Sequence, residues 1–205
     1  AVVDYGVGNL RSVEKAFAAV GIRARVTESP AEVEAARAVV IPGVGAFGVG
    51  MDNLSRRGLG DAVSRAARRG TPVLGICLGL QVMFSKGLEG GSRPGLGLIR
   101  GEVRRLPPGT RIPHMGWNRV SLGRDHPLLE GVPGESFFYF AHSYVGVPES
   151  PGVVWGTTRH GDPCPAVVGL EVDGVRVYGL QFHPEKSGSV GLRMLRNFGG
   201  LAGCW

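Results

Sequence analysis

A cysteine between two glycines is the first candidate for chemistry in this chain. Cys77 follows a strand predicted over Thr71–Ile76, and a glycine lies two residues away on each side, at Gly75 and Gly79. This spacing is typical of a nucleophile elbow, a tight strand-to-helix turn that leaves no room for neighbouring side chains. The helix N-terminus would favour a thiolate, and the Leu78 N–H would face an oxyanion. The alternative is a small buried cysteine, a common environment for a free thiol.

A histidine and a glutamate two residues apart supply the second candidate. Pro184 separates His183 from Glu185 and favours an extended backbone, in which residues two apart point to the same side. A carboxylate beside an imidazole fixes its tautomer and stabilises the imidazolium, as acyl transfer by a Cys–His pair requires. A His-Pro-Glu sequence alone is weak support, and the elbow cysteine upstream is what strengthens it.

The third candidate is the glycine-rich segment Pro42–Gly50, which directly follows another predicted strand. Gly43, Val44 and Gly45 allow backbone N–H groups to point into a cleft at the carboxyl edge of the sheet, where open α/β sheets bind ligands. These N–H groups would form the other half of an oxyanion hole. The alternative is an ordinary glycine loop.

The elements that position these residues alternate between strand and helix in the first half of the chain. Their periodicity and turn residues predict strands over Ala1–Tyr5, Arg23–Thr27, Ala38–Ile41 and Thr71–Ile76, with helices from Asn9 to Gly21, over Pro30–Ala36, and along the stripe from Leu54 to Ala66. This order predicts a parallel sheet covered by helices.

The second half of the chain is richer in strands. Six β-rich segments and a final helix are predicted, with Asp173-Gly174 as a two-residue hairpin turn: Ile99–Arg105, Met115–Leu122, Phe137–Val147, Val153–Thr158, Ala166–Val172, Val175–Phe182 and a helix over Val190–Phe198. Because the sequence contains neither an internal repeat nor a linker segment, we expect a single α/β domain over residues 1–205. Its central sheet should be mixed and mostly parallel, with additional antiparallel strands in the C-terminal half.

Composition excludes several classes of protein. Of 205 residues, 43% are hydrophobic and 20% charged, so the chain is not disordered as a whole. The longest nearly apolar stretch, Val73–Phe84, is shorter than the ~18 residues that a membrane span needs, and no secretory signal is visible. We therefore expect a cytoplasmic protein that does not associate with a membrane.

The cysteines and the net charge carry less information. Cys77, Cys164 and Cys204 are an odd number with wide spacing, which fits neither a disulfide framework nor a metal site. The net charge of +6 would suit nucleic acid, but no run of like charge exceeds two residues. A basic surface fits an anionic substrate or an acidic partner equally well, and we expect no nucleic-acid partner, metal or other cofactor.

Several segments together carry a family resemblance over essentially the whole chain. The elbow and the Gln181–Glu185 segment resemble the class I glutamine amidotransferases, which have a flavodoxin-like α/β fold and a Cys-His-Glu triad. Further segments are similar to the glutaminase subunits of imidazole glycerol phosphate synthase, in histidine biosynthesis: Asp4–Ser12, Pro42–Gly48, Pro113–Asn118, Phe140–Tyr144 and His183–Ser187.

The resemblance implies hydrolysis of glutamine to glutamate and ammonia. Cys77 would attack the carboxamide, His183 would move the proton to the departing ammonia, and Glu185 would orient His183. By motif match, the substrate contacts would be Gln81, Glu89, Ser143 and Tyr144, and the oxyanion would be stabilised by Gly43, Val44, Gly45 and Leu78. Glu89 is the less secure contact because it is the one acidic residue where the family tends to have several. Cys164 and Cys204 match no functional position.

The same resemblance implies a partner. Ammonia would pass to a cyclase subunit with a (β/α)₈ barrel, in a heterodimer that makes imidazole glycerol phosphate and an aminoimidazole carboxamide ribotide. The positions that match the partner face are Asn9, Trp117, Asn118, Tyr139 and Lys186. Core packing is the alternative for the two aromatic residues, because large aromatic side chains are commonly buried.

Three other functions fit parts of the pattern. One is a glutaminase of the same fold that serves another pathway, such as pyridoxal phosphate or anthranilate-type synthesis. Another is a non-catalytic regulatory or chaperone-like protein, which would lack a His–Glu pair aimed at the thiol. The last is a basic binding module for an acidic partner or nucleic acid, whose binding would depend strongly on salt.

Overall fold

A computed structural model describes residues 1–204, so the predicted domain extends one residue beyond the described part, to Trp205. Within residues 1–204 the strands are β1 Val2–Val3, β2 Val26–Thr27, β3 Val39–Ile41, β4 Val73–Ile76, β5 Phe84–Gly87, β6 Arg93–Pro94, β7 Ile99–Arg105, β8 His114–Leu122, β9 Glu135–His142, β10 Tyr144–Pro148, β11 Val154–His160, β12 Asp162–Val172 and β13 Val175–Leu180. The α-helices are α1 Leu10–Ala19, α2 Pro30–Ala35, α3 Phe47–Arg56, α4 Leu59–Arg68, α5 Leu78–Val82 and α6 Gly188–Leu201.

A large mixed sheet forms the centre of the molecule, as predicted. Its strand order is β2-β1-β3-β4-β13-β12-β11-β8-β9. The four pairings from β2 to β13 are parallel and the four from β13 to β9 are antiparallel. The sheet is therefore mixed, as predicted, but half of its pairings are antiparallel, so the expectation that it is mostly parallel was wrong.

Helices cover both faces of the parallel part. Val39 and Ile41 belong to one core cluster and Val40 to the other, because successive side chains of a strand point to opposite faces. Helices α1 and α6 pack on the Val40 face, and α2 to α5 pack on the Val39 face. Apolar residues at three- and four-residue steps thus place each amphipathic helix against the sheet.

Two predictions about the helices that follow β3 are wrong. The glycine-rich loop predicted to Gly50 ends earlier, because α3 begins at Phe47, whose backbone N–H donates to the Glu89 carboxylate at 2.7 Å. The single helical stripe is two helices, α3 and α4. They separate at Gly58, which has a left-handed conformation (φ 65°) that interrupts regular helix.

A second sheet was not predicted. It has the order β10-β7-β5-β6 in the described part of the chain. The segment predicted as one strand, Phe137–Val147, divides at Ser143 into β9 of the large sheet and β10 of the small one. Strands β5 and β6 escaped prediction because they are four and two residues long, too short for an alternating pattern. The hairpin at Asp173-Gly174 is confirmed, with φ of 50° and 80°.

The candidate residues lie at one edge of the sheet. Strands β1, β3, β4 and β13 run in parallel, so the segments that follow them, ending in Asn9, Gly45, Cys77 and His183, all leave from their carboxyl ends. No helix within residues 1–204 is both long and apolar enough to cross a bilayer.

Candidate active site

Cys77 occupies the turn between β4 and α5. It is the N-cap of α5 and has a left-handed backbone (φ 54°, ψ −108°), which L-residues with a side chain rarely adopt. Such strain persists only where the surrounding structure imposes it, and here a hydrogen bond from the Cys77 N–H to the Leu180 carbonyl (2.7 Å) contributes. The elbow geometry that the sequence predicts is therefore present in the structure.

The two flanking glycines are required by close backbone contacts. A Cβ on Gly75 would lie 2.6 Å from the Gly79 carbonyl oxygen and from the Leu80 nitrogen. A Cβ on Gly79 would overlap the carbonyl oxygen of Ile41 in the neighbouring strand. The elbow can therefore close only with glycine at both positions.

His183 and Glu185 form a buried pair. The Nδ1 of His183 lies 2.8 Å from the Glu185 carboxylate, and the two side chains are 3% and 1% exposed. The expected contact is present, but the predicted reason was wrong: Pro184–Lys186 is a 3₁₀ turn rather than extended chain, and the turn brings the two side chains together.

Ser187 holds this turn against β9. Its hydroxyl donates to the His183 carbonyl at 2.6 Å and accepts the Tyr139 N–H at 3.0 Å, while the His183 N–H donates to the Tyr139 carbonyl at 2.9 Å. Ser187 is 1% exposed, so these bonds form away from water. The position of the imidazole is thus set by the backbone of the central sheet.

The electrostatics of the site favour a charged imidazole. Burial alone would lower the pKa of His183, but its interactions with Cys77 and Glu185 outweigh burial and raise the pKa to about 9. The Nε2 atom on the far side of the ring from Glu185 is buried and has no protein hydrogen-bond partner among the described residues. The nearby Cys77 and the Glu185 carboxylate thus favour the protonated imidazole, and its Nε2 is available for proton transfer.

A pocket of about 320 Å³ opens above the cysteine. Seven predicted site residues line it, namely Gly45, Cys77, Leu78, Gln81, Glu89, Ser143 and Tyr144, together with Pro113, Met115, Ala141 and His142. A lining that combines polar side chains with the Cys77 thiol suits a small amino-acid amide. Gly43, Val44, His183 and Glu185 do not line this pocket.

The predicted substrate residues have different environments. The Gln81 amide is buried and donates to the Tyr144 carbonyl at 2.8 Å and to the Gln181 side chain at 3.2 Å, so it supports the pocket wall. Glu89 is half-buried and binds the first N–H of α3 through Oε2. Ser143 follows the last residue of β9, and Tyr144 is the first residue of β10.

The predicted oxyanion donors are not directed at one point in this conformation. The Leu78 N–H donates to the Gly43 carbonyl at 3.3 Å instead of pointing freely into the pocket. Val44 is 43% exposed, and Gly45 has a φ of +109°, which glycine alone adopts easily. An oxyanion site at Leu78 therefore requires the Gly43 carbonyl to move.

Aromatic residues of β8 and β9 form an exposed face. Trp117 pairs with Tyr139 across the two strands, and their rings meet edge to face with centroids 6.2 Å apart. The Lys186 ammonium lies 5.6 Å from the centre of the Tyr139 ring. Trp117 is 57% exposed, so core packing is wrong for it, and Met115 and Phe137 are also exposed.

The two asparagines predicted to face the partner have different environments. Asn9 is exposed and makes no side-chain capping bond to α1. The Asn118 side chain donates to His114 Nε2 and to the Arg159 carbonyl, both at 3.0 Å.

A pair of buried histidines, of which His142 lines the pocket, was missed by sequence reasoning. The His142 Nδ1–H donates to the Tyr144 carbonyl (2.9 Å), and the His114 Nδ1–H donates to His142 Nε2 (2.9 Å). Burial lowers the pKa of His114 to about 3 and that of His142 to about 4, so both are neutral. Both lie inside segments that carry the resemblance, but neither spacing nor residue type indicated that they bond to each other.

Three further residues of the site were also missed: Gln181, whose amide lies 3.9 Å from the Cys77 sulfur, Ser187, which binds the His183 carbonyl, and Tyr5, whose hydroxyl lies against Gly43. Within residues 1–204, no three His, Cys, Asp or Glu side chains are grouped so as to hold a metal ion.

Comparisons with known proteins agree with this geometry. The family described as glutamine amidotransferase class-I matches residues 1–200. The chain is 52% identical to "Imidazole glycerol phosphate synthase subunit HisH" of Symbiobacterium thermophilum, over 97% of this chain and 92% of the relative. It is 49% identical to the protein of the same name in Moorella thermoacetica, over 98% and 94%.

Two solved structures have folds similar to that of this chain over nearly its whole length. A crystal structure of a glutamine amidotransferase has a TM-score of 0.77 and 25% identity, and covers 98% of each chain. The structure of PurLQS from Thermotoga maritima also has a TM-score of 0.77, over 98% of this chain and 96% of that one. Its 19% identity makes it a likeness of fold alone.

Proposed function

The chain belongs to the class-I glutamine amidotransferase family, and from this premise we propose that Cys77, His183 and Glu185 are the residues that hydrolyse its glutamine. Relatives at about half identity are HisH subunits. The chain accordingly hydrolyses glutamine to glutamate and ammonia for imidazole glycerol phosphate synthase, in histidine biosynthesis. The observation that carries the assignment is an elbow thiol beside a buried, protonated His–Glu pair, under a pocket of amino-acid size.

The chemistry follows from this arrangement. The Cys77 thiolate attacks the side-chain carbonyl carbon of glutamine, and the carbonyl oxygen gains the negative charge. His183 Nε2–H gives its proton to the amide nitrogen, the C–N bond breaks, and ammonia leaves a thioester on Cys77. Water then attacks the thioester while His183 takes up a proton from it, the C–S bond breaks, and glutamate is released, which restores the Cys77 thiolate beside the protonated His183. Glu185 holds the imidazole by its Nδ1–H throughout.

The oxyanion needs donors that this conformation does not yet direct at it. Leu78 at the N-terminus of α5 and the Gly43–Gly45 loop are the nearest backbone donors, and a rotation of the Gly43–Val44 peptide would free one N–H and redirect another. We expect slow hydrolysis from the chain alone and faster hydrolysis with its partner bound.

The chain works in a complex with a cyclase, to which it supplies ammonia. We propose that the partner is a (β/α)₈ barrel bound one to one, against the face formed by Trp117, Tyr139 and Lys186. An exposed tryptophan next to the half-buried Tyr139 and its neighbouring Lys186 supports this placement, because aromatic residues are enriched at protein interfaces. The alternative of a non-catalytic protein loses its basis, since that protein would lack the His–Glu pair.

The test is Cys77→Ala in the complex. We expect glutamine-dependent product to disappear while ammonium salt still supports the cyclase. Cys164→Ala is the matched control, because Cys164 is equally buried but lies on β12, outside the pocket, and it should keep full activity. A glutamine-mimicking chloroketone should label position 77 alone. Glutamine-dependent synthesis by Cys77→Ala would refute the assignment.

A further inference from the structure

The hydroxyl of Tyr5 has no protein hydrogen-bond partner among the described residues, although the residue is fully buried. Leaving a buried hydroxyl unpaired is costly, so each such group in a folded protein calls for an explanation. Burial and the nearby Cys77 raise the pKa of Tyr5, so the hydroxyl is neutral and retains its proton for donation. By contrast, the buried Tyr178 hydroxyl donates to Glu171.

The unpaired hydroxyl lies against the backbone of Gly43. It occupies the space that a Cβ on Gly43 would fill, and the ring edge continues beneath Gly50, with Cε2 3.6 Å from where a Gly50 Cβ would be. Gly43 is also the residue whose carbonyl accepts the Leu78 N–H. The unpaired Tyr5 hydroxyl therefore lies next to the residue whose carbonyl occupies the Leu78 N–H.

These two observations fit one rearrangement. If the Gly43–Val44 peptide rotates, its carbonyl leaves Leu78 and its N–H takes the position that the carbonyl held. The Leu78 and Val44 N–H groups then both face the pocket. Because Gly43 is buried, the displaced carbonyl needs a donor on its new side.

On the basis of the function proposed above, we propose that the Tyr5 hydroxyl is that donor: it binds the Gly43 carbonyl in the active conformation and so positions the oxyanion loop. In the resting conformation the hydroxyl is unpaired and Leu78 is occupied. In the active conformation both are satisfied, because the hydroxyl has the carbonyl and Leu78 has the substrate oxyanion. Tyr5 is thus a positioning residue that does not touch glutamine.

The loop that carries Asn9 connects this rearrangement to the predicted partner face. A Cβ on Gly8 would lie 3.3 Å from the Gly43 Cα, so the turn before Asn9 rests directly on the residue that must rotate. Gly8 has a φ of +120°, a conformation in which other residues are strained. A partner that binds at the exposed Asn9 and shifts this turn would therefore also shift Gly43, through the contact between Gly8 and Gly43.

The test is Tyr5→Phe, compared with wild type for glutamate release in the absence and presence of the cyclase subunit. We expect the stimulation by the cyclase to fall about tenfold, equivalent to about 1.4 kcal/mol of transition-state stabilisation. The loss should appear in kcat, with KM for glutamine little changed, because the hydroxyl does not contact substrate. The melting temperature of the variant should equal or exceed that of wild type, since no resting hydrogen bond is removed.

Tyr178→Phe is the matched control. It removes a buried hydroxyl that is bonded to Glu171, so it should lower the melting temperature and leave the stimulation ratio unchanged. Co-elution of each variant with the cyclase in gel filtration shows that docking is intact, and ammonium-dependent turnover shows that the cyclase itself is active.

The outcomes separate the two hypotheses. Equal stimulation in Tyr5→Phe and wild type, or a lower melting temperature for Tyr5→Phe, would overturn this inference alone. Absence of glutamate release from the wild-type complex would instead overturn the proposed function, and the inference with it.

Discussion

Replacing Glu185 with glutamine should disable hydrolysis while leaving the fold and the partner interaction intact. The rise in the pKa of His183 from 6.5 to about 9 corresponds to about 3 kcal/mol of stabilisation of the imidazolium, which Cys77 and Glu185 together contribute beyond the penalty of burial. In Glu185→Gln the amide N–H₂ would donate to Nδ1 at the 2.8 Å contact. The proton of the neutral ring would then sit on Nε2, the wrong tautomer for a base.

The magnitude follows from that tautomer. A carboxylate-to-amide change beside a catalytic histidine costs about 10⁴ in kcat in the serine protease triad, so we expect a loss of about 10³ to 10⁴ here.

The assay is glutamate release by the complex, with co-elution of the two subunits in gel filtration as the measure of docking. Glu149→Gln is the control, because Glu149 is exposed and lies outside the pocket. The pH dependence of stability gives a second readout. A raised pKa contributes stability that is present below pH 6.5 and is lost as the pH rises through about 9, and Glu185→Gln should reduce that loss. Glutamine hydrolysis by Glu185→Gln at a rate similar to wild type would refute the role of the carboxylate.

Further predictions concern stability and association. Gly79→Ala should lower the free energy of unfolding in urea by about 3 kcal/mol or more, because its Cβ would overlap the carbonyl oxygen of Ile41. Gly123→Ala is the control and should change that free energy little, because no atom lies within 4 Å of its Cβ. Equal urea midpoints for the two variants would contradict this prediction. Burial lowers the pKa of His142 to about 4, so a stability contribution of about 3 kcal/mol is present above pH 6.5 and is lost as the pH falls towards 4. His142→Gln should therefore weaken the fall in the free energy of unfolding between pH 6.5 and 4. An unchanged pH dependence would count against burial of the neutral ring. Trp117→Ala should leave the melting temperature unchanged, because the side chain is 57% exposed. In a titration with the cyclase, the same variant should bind about 30-fold more weakly, which corresponds to about 2 kcal/mol. Binding with wild-type affinity would place the interface elsewhere.

Local patterns in the sequence were enough to predict the turn at Cys77 and the contact between His183 and Glu185. The spacing Gly75, Cys77, Gly79 specifies its own turn, because the close contacts that exclude side chains lie largely within the elbow and the adjoining strand. The His183–Glu185 pair is likewise local, and the prediction of contact holds although a 3₁₀ turn, rather than an extended chain, produces it. Short-range sterics and hydrogen bonding act in the same way wherever such a segment lies in the fold, so sequence reasoning captures them.

Features that depend on distant contacts were decided by the tertiary structure. Helix α3 begins at Phe47 because Glu89, 42 residues away, accepts its N–H, and the chain divides at Ser143 because β10 pairs with β7 of another sheet. The unpaired Tyr5 hydroxyl could not be foreseen either, since an ordinary buried tyrosine has the same sequence pattern. The amino-acid order alone determined which groups can react. Packing across the sheet determined which hydrogen bonds they make at rest, because each of those bonds depends on the position of a partner far along the chain.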